Sequence, residues 1–160
     1  MGSTLSRQEV RSLAYPHPSS RAVSAVMRAN RSRDTLPELR LRSVLHRSGF
    51  RFRANARVNL DELRVRPDIV FFGHRVAVFL DGCFWHSCPR HGNLPRTNPF
   101  YWLPKLKRVR DRDRRVNAAL KREGWQVLRL WEHEPLERAA RSIALAMRKP
   151  PRQRKAVNDG

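Results

Sequence analysis

Between Val78 and His91 the chain reads V-F-L-D-G-C-F-W-H-S-C-P-R-H, and within it stand Asp81, His86, Cys88 and His91, four side chains able to bind a metal or move a proton. A carboxylate suits a hard cation such as Mg²⁺. Imidazole exchanges protons near neutral pH, and thiolate with imidazole is a zinc donor set. Phe84 and Trp85 place two adjacent aromatic faces just after Gly82. The two cysteines, Cys83 and Cys88, are too few for a disulfide framework, so a metal or core role is expected.

A further carboxylate, Asp68, precedes the apolar run that leads into this segment. Residues 69–72 and 75–80 read as two strands with Gly73-His74 as a tight turn. Pairing Phe72 with Arg75 and counting outward sets Phe79 opposite Asp68, with Asp81 diagonal to Asp68 on the same face. Such neighbours have Cβ atoms roughly 7 Å apart, close enough to share one Mg²⁺. The competing reading is that Asp68 ends a turn after Pro67 and Asp81 begins one before Gly82.

The other elements must hold this hairpin. Thr35-Leu36-Pro37-Glu38 fits a capping box, with Glu38 reaching back, and Leu36, Leu39, Val44 and Leu45 form the apolar stripe of a helix that Gly49 stops. A second helix is expected from Asn98-Pro99 to Gly124, carrying Trp102, Leu106, Val109 and Val116. A strand follows over 125–131, then a helix after Pro135 with Leu136, Ile143, Leu145 and Met147. The order helix, hairpin, helix, strand, helix predicts an α/β or α+β domain on a small mixed sheet. We place it at 27–148, after a basic arm over 1–26 and before a basic tail over 149–160.

Lys and Arg number 34 against 14 Asp and Glu, a formal net charge of +20 with a pI of about 11.7. Such a charge calls for a polyanionic partner, and the excess of Arg favours nucleic acid over a membrane surface. No apolar run approaches the roughly 18 residues of a membrane span, and there is no signal-peptide core, so a cytoplasmic, nucleoid-associated protein is expected. Lys105, Arg108 and Arg112 follow Trp102 on one helical face, a stripe that can track phosphates.

R-P-D-I-V-F at 66–71, F-L-D-G-C-F-W-H at 79–86, T-N-P-F-Y-W at 97–102, R-D-R-R at 112–115 and G-W-Q-V-L-R-L-W-E at 124–132 together resemble the very short patch repair (Vsr) endonucleases. The likeness begins at M-R-A-N-R-S-R-D-T, 27–35, and runs to about residue 134. It implies a restriction-endonuclease-like fold, a three-layer α/β domain with helices flanking a small mixed sheet. The implied activity is Mg²⁺-dependent nicking of double-stranded DNA on the 5′ side of the T in a T:G mismatch. The implied agent is a monomer, with repair proteins or an associated cytosine methyltransferase as further partners.

By that resemblance Asp68 is the metal-binding aspartate, His86 the catalytic histidine and Glu38 the acid on the first helix. Phe84, Trp85 and Trp102 match residues that wedge into the base stack. Zinc is expected at Cys88, His91, Asp113 and His133. The chain departs from the family at Leu80-Asp81, where Thr-His is usual, so Asp81 is expected to join Asp68 at Mg²⁺. Cys83 stands where related nucleases carry lysine and is expected to be a small buried hydrophobe. Two alternatives are a restriction or phage-defence nuclease of the same fold and a DNA-binding module whose nuclease site has decayed.

Overall fold

The computed structural model describes residues 33–91 and 99–150. The N-terminal arm and residues 151–160 of the tail lie outside the described residues, as do 27–32 of the first motif and Thr97 and Asn98.

Helix α1 spans Leu36–Arg47 after Thr35 in extended conformation. Its expected capping box is altered. Glu38 does reach back, but its Oε2 accepts from the Asp34 N–H at 3.0 Å and its Oε1 from the Thr35 hydroxyl at 2.9 Å, and the Thr35 side chain caps nothing. The buried face is Glu38, Leu41 and Leu45, spaced three and four residues apart. Leu36 and Leu39, expected inside, are 59% and 48% exposed. The 100° step of the helix cannot turn Leu36 and Leu39 inward together with Leu41 and Leu45.

Three two-residue strands follow: β1 (Arg53–Ala54), β2 (Val58–Asn59) and β3 (Arg64–Val65). They are too short to show an alternating pattern, so the sequence gives no sign of them. Next come β4 (Ile69–Phe71) and β5 (Val76–Asp81). Their connection is not a two-residue turn but a 3₁₀ turn, Phe72–His74, closed by Arg75 in the left-handed region at φ 50°. The register is nevertheless the expected one, with Phe71 opposite Val76 and Ile69 opposite Val78.

Helix α2 covers Pro99–Arg122, strand β6 Gln126–Trp131 and helix α3 Leu136–Arg148. The main sheet runs β1-β4-β5-β6, antiparallel except for the parallel pair β5–β6, while β2 and β3 form a separate ribbon. Both faces of the sheet are covered. Ile69, Phe71, Val76 and Val78 pack with Leu41 and Leu45 of α1 and Ile143 of α3. Val70 and Ala77 point the other way, to Ala119 and Leu120 of α2 and to Val58 and Val65 of the ribbon. The result is the expected three-layer α/β domain with a small mixed sheet. Leu145, placed by its spacing on the inner face of α3, is 52% exposed, and Ala139, Ile143 and Ala146 form that face instead. Among the described residues no helix is long and apolar enough to cross a membrane.

Candidate active site and metal cluster

Asp68 stands just before β4, beyond the last ladder pair Ile69–Val78, and its backbone N–H donates to Val78 O at 3.0 Å, so the Phe79–Asp68 pair counted from the turn does not form. Its Oδ2 accepts from the Leu80 N–H at 2.7 Å. Burial pushes the Asp68 carboxyl up to about 6. The Leu80 N–H and Arg42 oppose the rise, while Glu38 and Asp81 add to it. Glu38 is 4% exposed and is held by Arg42, whose Nη2 donates to its Oε2 at 2.9 Å. Arg42 also bonds Asp34 at 2.6 Å and reaches the Asp68 carbonyl at 3.4 Å.

Glu38, Asp68, Asp81, His86, Asp113 and Arg129 all line one cleft of about 780 Å³. Three carboxylates, from α1, the residue before β4 and the end of β5, thus share partly desolvated space, and their repulsion is what a cation would offset. Asp81 already has one partner, since Arg129 Nη1 donates to its Oδ1 at 2.6 Å. If Asp81 is also a metal ligand, Asp81→Asn should raise the Mg²⁺ concentration needed for half-maximal cleavage. An unchanged Mg²⁺ titration would assign it to the Arg129 contact alone.

Asp113 is not brought to the cysteines. Its Oδ2 accepts from His86 Nδ1 at 2.6 Å, and Arg129 Nη2 lies 3.0 Å from its Oδ1. R-D-R-R lies within α2, which faces the cleft here, so the expected zinc ligand serves as the histidine's partner. The Nδ1 contact leaves His86 its other ring nitrogen for chemistry in the cleft.

The place of Asp113 is taken by Cys83. The ligand atoms of Cys83, Cys88, His91 and His133 lie within 4.8 Å of one another. Cys83 Sγ is 3.0 Å from His133 Nδ1 and 3.7 Å from His91 Nδ1, and Cys88 Sγ is 3.9 Å from His91 Nδ1. The local fold explains why both thiols converge. Cys88 N–H donates to Cys83 O at 2.9 Å and Ser87 N–H to Phe84 O at 3.5 Å, with Ser87 left-handed at φ 53°. This is the bonding of a Schellman turn, and it folds position 88 back onto position 83. Cys83 is therefore not the buried spacer its position suggested. Burial pushes its thiol up to about 12, helped by Cys88 and Glu132. Burial also raises Cys88, but the N–H groups of Arg90 and His91, together with Cys83 and the Arg90 charge, outweigh it and bring that thiol below its ordinary value. Two sulfurs and two imidazoles at this spacing match a closed tetrahedral metal site.

On the far side of the Gly82–Cys88 turn the aromatic residues gather. Phe84 meets Trp85 and Trp102 edge-on, with centroids 5.1 Å apart in each case, and Trp85 lies 6.0 Å from Trp102. Lys105 Nζ sits 5.2 Å from the Trp85 ring and 5.4 Å from that of Trp102. All three aromatic residues keep part of their surface open, and Arg108 and Arg112 are exposed farther along α2.

Sequence reasoning missed Arg42, Arg129 and the place of Cys83 in the Cys/His cluster. Arg129 left one signal, a charged residue amid the apolar alternation of Q-V-L-R-L-W, which needs a partner if partly buried.

The family model of the DNA mismatch endonuclease Vsr matches residues 17–90. The type II nicking enzyme V.NaeI of Lentzea aerocolonigenes is 51% identical over 130 residues, 81% of this chain and 78% of the relative. V.XorIIP of Xanthomonas oryzae is 44% identical over 111 residues, covering 68% of this chain and 78% of that enzyme. The DNA mismatch endonuclease Vsr of Escherichia coli is 41% identical over 109 residues, 66% of each chain. On this similarity, and on an α/β architecture carrying carboxylates, a histidine and a Cys/His cluster in the motif positions, the chain belongs to the Vsr family of DNA endonucleases.

Proposed function

We propose that this protein is a Mg²⁺-dependent endonuclease that nicks double-stranded DNA on the 5′ side of the T in a T:G mismatch. The observation that carries the proposal is the meeting, in one cleft, of Glu38, Asp68 and Asp81 with the His86–Asp113 pair. Asp68 would hold the cation with Asp81 as second carboxylate, while Glu38 adds negative charge behind them. Bound Mg²⁺ would neutralise the scissile phosphate and acidify water. His86, held at Nδ1 by Asp113, gives or takes the proton at its other nitrogen. Zn²⁺ at Cys83, Cys88, His91 and His133 would be structural, bracing the turn that presents Phe84, Trp85 and His86.

Phe84, Trp85 and Trp102 form the wedge, and Lys105, Arg108 and Arg112 supply phosphate contacts. Opening the stack costs a few kcal/mol, least where pairing is weak, which is the source of mismatch preference. The protein acts as a monomer in the cytoplasm, at the nucleoid, with repair proteins or a cytosine methyltransferase as further partners.

The test is a set of duplexes differing only in one T:G pair, incubated with Mg²⁺ and mapped for cuts. Trp85→Ala with Trp102→Ala should erode the T:G preference more than total binding, and rising salt should weaken binding to all duplexes alike. Equal cutting of paired and mismatched DNA, unchanged in the double variant, would reject the repair reading. It would instead favour a nuclease of the same fold with another target, the reading to which Asp81 lends weight. A decayed DNA-binding module is disfavoured because Glu38, Asp68 and His86 all reach the cleft.

A further inference from the structure

We infer that Arg129 is the positioning residue of this site, the group that fixes the Asp113 carboxylate and through it the His86 ring. The inference rests on the nuclease reading above and concerns a residue to which the sequence reading gave no role. Arg129 lies on the edge strand β6 opposite Phe79 of β5, in the parallel register of that pair. Its guanidinium stands 4.7 Å over the Phe79 ring, and each of its nitrogens is used. Nε donates to Asn117 Oδ1 at 3.1 Å, Nη1 to Asp81 Oδ1 at 2.6 Å, and Nη2 lies 3.0 Å from Asp113 Oδ1. One flat fork therefore ties β5, β6 and two positions of α2 together.

The oxygens of Asp113 are divided between two close partners, with exposed Arg112 a looser third at 3.8 Å from Oδ1. Oδ1 goes to Arg129 and Oδ2 accepts from His86 Nδ1 at 2.6 Å. Rotating the carboxylate breaks one bond or the other, so the Arg129 fork sets the plane in which the imidazole lies. His86 has a second acid nearby, Asp81 Oδ1 at 3.7 Å, and Arg129 holds that oxygen at 2.6 Å. Without the guanidinium, His86 could turn between two acids, and its other nitrogen would lose a defined direction. Lysine cannot replace the fork, because one ammonium is a point charge and cannot hold both carboxylates and Asn117 in one plane.

The test compares Arg129→Met and Arg129→Lys with the full-length wild-type protein, using single-turnover nicking, DNA affinity, thermal melting and the ¹⁵N signature of the His86 tautomer. Wild type should show one tautomer, with the proton on Nδ1. Both variants should show a mixture and a nicking rate lower by about tenfold to 10²-fold, the order of loss that a misplacement near 1 Å brings, with DNA affinity changed less than about twofold. Should the methionine variant not fold, the lysine variant keeps the charge and decides. Wild-type nicking in the lysine variant overturns the inference, as does lost nicking with the single tautomer retained. If wild type nicks no duplex, the nuclease reading fails instead, and the tautomer signature still decides whether Arg129 fixes the ring.

Discussion

Asp68→Ala is expected to fold, to bind duplex DNA with near wild-type affinity, and to show no measurable nicking at any Mg²⁺ concentration. Asp68 is the carboxylate at the meeting of α1, β4 and β5, and its surroundings penalise its charge until a cation arrives. In the proposed function the DNA phosphates are met elsewhere, by Lys105, Arg108 and Arg112, so binding should survive. Near wild-type cutting by this variant would remove Asp68 from the chemistry. His86→Ala should be milder, a loss of roughly 10²–10⁴, the usual worth of a positioned proton donor or acceptor.

The raised Asp68 carboxyl adds a pH signature. A group whose folded pKa lies above its unfolded value stabilises the cation-free fold at low pH, and this contribution fades as pH rises toward about 6. Cation binding needs the ionised form, so protons and Mg²⁺ compete. Nicking at limiting Mg²⁺ should therefore fall as pH drops through about 6 and return when Mg²⁺ is raised. A pH profile indifferent to Mg²⁺ concentration would separate this acid from the cation.

The second large effect concerns the metal cluster. The purified protein should carry about one Zn²⁺ per chain, and a chelator should lower its Tm sharply, since structural zinc in small domains contributes on the order of 10 kcal/mol to folding. Cys83→Ser and Cys88→Ser should each lose the metal, whereas Asp113→Asn should keep it and lose nicking rate. Elemental analysis finding zinc retained in Cys83→Ser would exclude that thiol as a ligand. Zinc lost from Asp113→Asn would restore the aspartate to the set.

Local chemistry was legible wherever neighbours in sequence are neighbours in space. The β4–β5 register could be counted from the turn, because shifting either strand by one residue would send Ile69 and Val78 to the wrong face. The turn itself was misread, since Phe72–Arg75 closes through a 3₁₀ turn and a left-handed arginine, yet both connections preserve the same pairing. Helix extents followed from Pro37, Gly49 and Gly124, while which leucines face inward did not, because that depends on where α1 and α3 meet the sheet.

From the residues alone came the polyanionic partner and the candidate acids, while the resemblance to the family supplied the expected roles of His86 and of Cys88, His91 and His133, three members of the observed cluster. Tertiary structure decided the fourth member of the cluster and the partner of the histidine. Cys83 joins Cys88 only because Ser87 turns left-handed and folds the loop back upon itself. Asp113 lies 27 residues from His86 and reaches it only because α2 packs across the end of the parallel pair β5–β6. There Arg129, 48 residues from Asp81, binds both acids. Such pairings depend on the relative placement of whole elements, which no local spacing encodes.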